Sequence, residues 1–565
     1  MKADTIPRPE YPRPQFVRES WINLNGIWHF EIDNGKSGVE RGLIEALSLS
    51  GKITVPFCPE SKLSGVGITD FMECVWYKHT FTVPDEWLRP GRVTYLHIGA
   101  CDWHTTVWIN GKLVGEHIGG YSSFYFDISP YITSGDNIIT IEVLDELRRE
   151  NQAGGKQSKR YHSHGCSYTR TTGIWQTVWL ENVPASHIIN VKLTPNLSRS
   201  SLFIEAECSP NTDGRRFTAK ASLDGRICGD TSTKVTGRYA IMELPLDDVR
   251  LWGPGSPVLY DLLLTLDGSE HEADTVKSYF GMREVSYCGG RFLLNGKTIF
   301  QRLILDQGFY PNGIYTAPSD EELRADIIRS LDMGFNGARL HQKVFEPRFL
   351  YHCDVLGYLV WGEYGDWGLD TSRADAWGAI LPEWLDILRR DFCHPSIVGW
   401  CPLNETQKNQ DPRLVRMLCS ITRAVDGTRP VIDTSGWHHV AGAGDIIDAH
   451  DYEQNPEIFA ERYGATSPVT FVSEYGGIWW SDTETDGWGY GARPENKEAA
   501  LERYRALTTA LLSSPKIAGF CYTQLTDVEQ EKNGLYTYDR RPKFDPAIIR
   551  EINTRKAAIE SAGAD

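Results

Sequence analysis

A change of rhythm near Gly281 constrains the fold more than any other feature of the sequence. After that point, short β-type apolar runs alternate with helical segments. The run 301–305 precedes a helix opened by Ser319-Asp320-Glu321-Glu322, an N-cap followed by acidic residues in the first turn. Runs 338–341, 358–362 and 397–400 precede helical stretches 347–356, 381–390 and 412–425. Four more strands are expected at 430–433, 446–452, 469–472 and 517–522, with a last helix from 546 to about 560. Eight strand–helix units in about 280 residues have the size of a (β/α)₈ TIM barrel.

The first half follows a different grammar. Runs 92–98, 105–109, 137–143 and 176–180 alternate with period two, and Asn110-Gly111 is a strong hairpin signal. Short strands punctuated by Gly and Pro suggest a β-sandwich ending near Pro184. The pattern recurs at 202–206, 218–223 and 258–264, with turns at Asp224-Gly225 and Asp267-Gly268. This stretch, 185–281, has the length of one immunoglobulin-like β-sandwich. Three domains are therefore expected, over 1–184, 185–281 and 282–565.

Composition narrows the function. With 58 Lys and Arg against 75 Asp and Glu, the net charge is −17. Such a field repels phosphate backbones, so nucleic acid is not an expected partner. No apolar run of about 18 residues suggests a membrane span. The opening residues have no apolar stretch of signal-peptide type, and a cytoplasmic location is expected. The 12 cysteines are scattered without a C-x-x-C, which points to buried thiols. His162, His164 and Cys166 match no standard metal spacing. No G-x-S-x-G elbow, phosphate loop or dinucleotide fingerprint occurs.

Catalytic groups of a barrel lie at the C-terminal ends of its strands. Glu405 ends the fourth expected strand in Leu403-Asn404-Glu405, and Glu474 ends the seventh in Ser473-Glu474-Tyr475-Gly476. Either glutamate alone could cap a helix or pair with an arginine. Both at one mouth are what glycosidic cleavage needs: one carboxyl protonates the leaving oxygen while the other attacks the anomeric carbon. Asn404 is placed to hydrogen-bond the sugar 2-hydroxyl.

Across nearly its whole length the chain resembles glycoside hydrolase family 2, the family of β-galactosidases, β-glucuronidases and β-mannosidases. The resemblance rests on Leu24-Asn25-Gly26-Ile27-Trp28, Val107-Trp108-Ile109-Asn110-Gly111, Thr172-Gly173-Ile174-Trp175, Tyr279-Phe280-Gly281-Met282-Arg283, His394-Pro395 and the two glutamate motifs. It implies a jelly-roll sugar-binding domain at the N-terminus, then the immunoglobulin-like domain and the barrel. It also implies a retaining double displacement, with Glu405 as acid/base and Glu474 as nucleophile. By the same resemblance His341 lines the sugar site and Tyr452 lies near the nucleophile. Tyr522 takes the place of a tryptophan that floors the sugar. Trp479, Trp480 and Trp488 are placed to wall the site.

The chain departs from known members in the residues that choose the sugar. Glucuronidases hold the sugar carboxylate with Asn-x-Lys-Gly, where this chain has Glu531-Lys532-Asn533-Gly534. A sandwich-domain aspartate of the family is replaced by Ser167. The run 302–307 lacks the histidines of magnesium-dependent galactosidases, so no metal or other cofactor is expected. Arg170, Lys343, Arg540 and Arg541 could supply positive charge to a uronide. The sequence therefore points to an exo-acting β-glycosidase for a galacto-configured sugar, a β-galactoside or β-galacturonide. An α-L-arabinosidase, a β-glucuronidase and a non-catalytic carbohydrate-binding protein are the alternatives. A small glycoside or oligosaccharide is the expected partner, and a homo-oligomer is compatible with the family.

Overall fold

A computed structural model of the chain describes residues 6–148, 151–268, 272–464 and 466–561. Between residues 21 and 184 a four-stranded and a six-stranded antiparallel sheet enclose a core that includes Trp28, Tyr77, Leu96, Val107, Ile141 and Leu180. The Asn110-Gly111 hairpin joins strands His104–Ile109 and Lys112–Ile118, with φ of 50° and 75° at the two turn residues. Both values lie in the left-handed region that this dipeptide tolerates and that matches strand twist.

Between residues 188 and 280, three- and four-stranded antiparallel sheets bury Leu202, Phe217, Leu262 and Val276. Asp224-Gly225 turns the chain between Arg216–Leu223 and Arg226–Lys234. The turn expected at Asp267-Gly268 runs into 269–271, outside the described residues. Arg18 bolts the two sheet systems together, donating to both carboxylate oxygens of Asp274 (2.9 and 2.8 Å) and to Glu181 (3.0 Å).

The rest of the chain builds a parallel sheet. Its strands are β1 (Gln301–Asp306), β2 (Gly337–Leu340), β3 (Leu359–Glu363), β4 (Ile397–Cys401), β5 (Asp448–Asp451), β6 (Phe471–Gly476) and β7 (Gly519–Thr523). They run in the order β4-β3-β2-β1-β7-β6-β5, consistent with a (β/α)₈ barrel. The strand expected at 430–433 is reduced to a bridge between Val431 and Trp400. Pro430 has no N–H to offer, so the segment holds β4 only through its own carbonyl (3.1 Å from Trp400 N) and the Ile432 N–H.

Helices α1 (Asp320–Asp332), α2 (Pro347–Leu356), α3 (Ala376–Asp391) and α4 (Pro412–Val425) cover the first strands; α5 (Pro456–Arg462), α6 (Lys497–Ser513) and α7 (Pro546–Asn553) cover the rest. Ser319 caps α1 as its sequence predicts, accepting from Glu322 N at 3.3 Å. The α3 helix starts five residues before the expected Leu381 and carries Pro382 inside it. The expected terminal helix breaks after Asn553 and resumes only at Ala558–Ser561. Inside the sheet, Gly362 and Gly399 let Trp400 and Trp361 lie flat on neighbouring strands: a Cβ at either glycine would come within 2.5 Å of the facing indole. Among the described residues no helix is long and apolar enough to cross a membrane.

Candidate active site

Glu405 and Glu474 meet at the C-terminal mouth of the sheet. One oxygen of each lies with a nitrogen of His450 in a group whose atoms are all within 4.8 Å of one another. Glu405 follows β4 in the left-handed region, φ 48°, where a side chain is strained. Its N–H is pinned by the carbonyls of Ser435 (3.0 Å) and Thr434 (3.2 Å). Its Oε1 lies 2.6 Å from His450 Nδ1. Burial pushes the Glu405 carboxyl up, but the His450 bond and charge, followed by Lys156 and Arg339, outweigh it and hold the group below its ordinary range.

Glu474, on β6, is held on both oxygens. Arg339 Nη1 donates to Oε1 at 2.9 Å and Tyr452 Oη donates to Oε2. Burial again raises the carboxyl, and the nearby His450, His341 and Arg339 more than offset it together against the Glu405 charge. The result is an ionised carboxylate with fixed orientation, the state a nucleophile needs.

Arg339 organises the floor. Fully buried on β2, it donates to Glu363 Oε2 (2.6 Å), Glu474 and Asn404 Oδ1 (2.5 Å). With its oxygen turned to Arg339, Asn404 is left with a buried Nδ2 that has no partner, a donor free for a ligand hydroxyl. The Asn404 N–H donates to Asp366, whose carboxyl burial pushes up to about 8. His341, at the end of β2, sits 3.0 Å from Glu363 and 3.8 Å from Glu474. Burial, then the Lys156 charge, holds its imidazole well below the usual range.

Other expected residues fall in different places. Tyr452 is in the site, stacked face to face on Tyr490 at 3.4 Å. Tyr522 turns away from the glutamates and packs edge-on against Tyr475 and Tyr504 of α6; the next residue, Thr523, reaches Tyr452 Oη instead (3.1 Å). One step along a strand reverses the face, which is why the aromatic lands outside. Trp479 lies under the Arg493 guanidinium, 4.7 Å from its ring centroid, on the loop after β6. Ser167 lines a cleft of about 490 Å³ together with Gly155, Trp367, Asn404 and Glu405.

Three of the four cations expected as clamps spend their donors on the protein itself, and the fourth, Arg541, is an exposed side chain paired with a neighbouring acid. Arg170 donates to the carbonyls of Thr69, Ser158, Arg160 and Tyr161, so its guanidinium fastens a loop. Lys343 donates to Gly308 and Tyr315 carbonyls, and burial pulls its ammonium down to about 7. Arg540 is held by Asp326 and Phe309 O, and Arg541 pairs with Asp539.

Three site residues were not singled out from the sequence: Arg339, His450 and Lys156. A charged residue in the apolar stretch of β2, and a histidine two positions before Tyr452 on β5, were the available signals for the first two. Glu405, His450 and Glu474 are also the one group among the described residues that could hold a metal ion. Arg339 lies 3.1 Å from His450 Nε2 and 2.9 Å from Glu474, a fixed positive charge beside that group.

Comparison with known proteins agrees with this architecture. Residues 22–184 match the sugar binding domain of glycosyl hydrolases family 2, and residues 186–283 match a second domain of glycosyl hydrolases family 2. A β-galactosidase of Thermoanaerobacter pseudethanolicus is 25% identical over 68% of this chain and 51% of its own length, so the chain spans about half of that relative. A β-glucuronidase of Paenibacillus borealis is 25% identical over 96% of this chain and 98% of its own. The solved structure of a Lactobacillus rhamnosus β-glucuronidase shares the fold with a TM-score of 0.82, at 19% identity, covering 96% of this chain and 99% of that one. Residues 22–283 are thus matched by two successive domains of glycosyl hydrolases family 2, and along nearly its whole length the chain is similar to glycoside hydrolases.

Proposed function

We propose that the protein is a retaining exo-β-glycosidase with Glu474 as nucleophile and Glu405 as acid/base. The observation that carries this reading is the approach of the two carboxyls within 4.8 Å at one barrel mouth. Retaining enzymes space their carboxyls about 5 Å apart, too close for a water between acid and base. In the first step a Glu474 oxygen bonds to the anomeric carbon as the glycosidic bond breaks, and Glu405 gives its proton to the departing oxygen. Glu405 is then a carboxylate. It takes a proton from water, whose oxygen bonds to the anomeric carbon and releases Glu474. The unpartnered Asn404 amide supplies a hydrogen bond to the 2-hydroxyl that strengthens as positive charge develops on the ring.

This reading takes the sheets of residues 21–184 as a jelly roll, those of 188–280 as immunoglobulin-like, and the parallel sheet as an eight-unit barrel. For the sugar, a relative matched along nearly the whole of both chains is a β-glucuronidase, and this supports a β-glucuronide over the galacto-configured sugar suggested by the sequence. The test is a panel of 4-nitrophenyl glycosides: β-glucuronide, β-galacturonide, β-galactoside, β-glucoside and α-L-arabinosides. Trapping with 2-deoxy-2-fluoro glycosyl fluorides and mass spectrometry of the peptide carrying Glu474 accompanies it. Turnover with a label on Glu474 is expected. Silence across the panel with no label would remove the enzymatic reading.

A further inference from the structure

Lys156 belongs to the N-terminal sheet system yet sits in the barrel mouth. Its loop is tied to the segment after β3: Gly154 N donates to Trp367 O at 2.7 Å, and Gly155 N to Gly365 O at 3.1 Å. Gly155 has a φ of +53°, and a Cβ there would fall 2.2 Å from the Gln342 carbonyl, so the loop lies flush against the barrel. Tyr168 N fastens the Lys156 carbonyl from the other side at 2.7 Å. The backbone around the lysine is therefore fixed.

The side chain is 6% exposed. Its ammonium lies 3.7 Å from the ring centroid of Trp367, whose own Nε1 donates to the Asn404 carbonyl. Among the described residues it makes no hydrogen bond and no ion pair. Trp367 lines the cleft that also holds Asn404 and Glu405, so the ammonium stacked on it stands beside that cleft, and its charge acts on Glu405, Glu474 and Glu531. Burial lowers the ammonium's hold on its proton, but Cys166 and the three glutamates more than restore it, so the group is a cation.

Glu531 is not its counter-ion. One Glu531 oxygen accepts from Tyr168 Oη (2.6 Å) and the other from Asn533 Nδ2 (2.8 Å), turning the carboxylate toward the sandwich loop. A buried ammonium with aromatic support and no partner is costly to maintain unless a ligand anion completes it. Arg170, Lys343 and Arg540 have their donors engaged elsewhere, as described above.

We propose that Lys156 binds the carboxylate of a hexuronic acid in the sugar pocket and so fixes the substrate class as uronides. The proposal rests on the glycosidase reading for its consequence in turnover. It supplies from the sandwich the cation that Glu531-Lys532-Asn533 does not present.

The experiment compares Lys156→Met, Lys156→Gln and Lys156→Arg with the unaltered chain on 4-nitrophenyl β-glucuronide against β-glucoside, and β-galacturonide against β-galactoside. In Lys156→Met, kcat/KM for the preferred uronide should fall at least about 100-fold and for its neutral counterpart less than tenfold, the loss of a charge-assisted contact. Lys156→Arg should keep the uronide preference, and it decides the matter with Lys156→Gln should Lys156→Met fail to fold. Calorimetry with D-glucuronate and D-galacturonate against D-glucose and D-galactose reads the same preference without turnover. Parallel losses on charged and neutral sugars would overturn the role of Lys156. An unaltered chain that cleaves neutral glycosides and shows no uronate preference would overturn it too, while leaving the glycosidase reading intact. Absence of any turnover or Glu474 label would overturn the enzyme instead, and uronate binding lost in Lys156→Met would still support the anion site.

Discussion

His450 Nδ1 lies 2.6 Å from Glu405 Oε1. Arg339 donates to the opposite ring nitrogen, Nε2, at 3.1 Å, which leaves the ring proton on Nδ1 and aims it at the carboxylate. The imidazole is thus a fixed donor to the carboxylate proposed to gain and lose a proton in turnover. After burial, its bond is the largest influence on the Glu405 carboxyl, and it acts downward. In His450→Ala that carboxyl should rise. The basic limb of the kcat/KM profile, which reports the acid, should move to higher pH for substrates with poor leaving groups. A profile recorded from pH 4 to 9 checks this; an unmoved limb would mean that His450 does not set the proton affinity of Glu405.

Glu474→Gln removes the proposed nucleophile and preserves volume and most hydrogen bonds. Turnover of every substrate should fall by roughly four orders of magnitude or more, as for loss of a covalent nucleophile. Thermal melting should show a folded protein. Near-normal rates in this variant would exclude Glu474 from bond formation.

Glu405→Gln should discriminate between leaving groups. An alkyl or sugar aglycone needs the proton and should lose about 10²- to 10⁴-fold in its glycosylation step. A dinitrophenyl aglycone needs none, and single-turnover release should be far less affected. Equal losses in that step would take the acid role from Glu405.

Arg18 sits between Glu181 and Asp274, all three buried. Burial raises the Glu181 carboxyl, but Arg18, His97 and Arg13 together hold it far below the ordinary carboxylate range. Its contribution to stability is therefore present above the unfolded pKa of about 4.3 and is lost as pH falls through the depressed folded value. Arg18→Met should cost about 3–5 kcal/mol at neutral pH, because two buried carboxylates lose their partner. Denaturant melts at pH 7 and pH 3 should show that difference shrinking in acid.

Arg170 is the contrasting cation. Since its guanidinium binds four carbonyls and stacks 4.0 Å over Phe71, Arg170→Met should lower the melting temperature and reduce rates on charged and neutral glycosides in equal proportion. A selective loss on uronides would assign it to the substrate after all.

The barrel was legible because its helices carry their own boundaries. Pro347 and Pro412 open α2 and α4 at the first helical position, where a missing N–H costs nothing, and both helices end where their apolar period ends. The strand expected at 430–433 was over-read, since Val431 forms only a bridge and its neighbour Pro430 cannot extend the ladder. Glu405 and Glu474 could be paired from strand order alone, because strand ends converge. The face of a single strand residue was harder: Tyr522 and Thr523 differ by one position, and only the observed register shows that the threonine faces Tyr452. Lys156 could not have been found, because its place depends on a contact between Gly155 and Gln342 that no local pattern announces.

The loop carrying Lys156 hangs from a sandwich, whereas both glutamates grow from the barrel. In the proposed reading, bond breaking and sugar choice are written in separate stretches of sequence that touch only after folding. Within that loop Gly155 and Tyr168 are held by the contacts that seat it on the barrel, which leaves the Lys156 side chain as the position where selectivity can change.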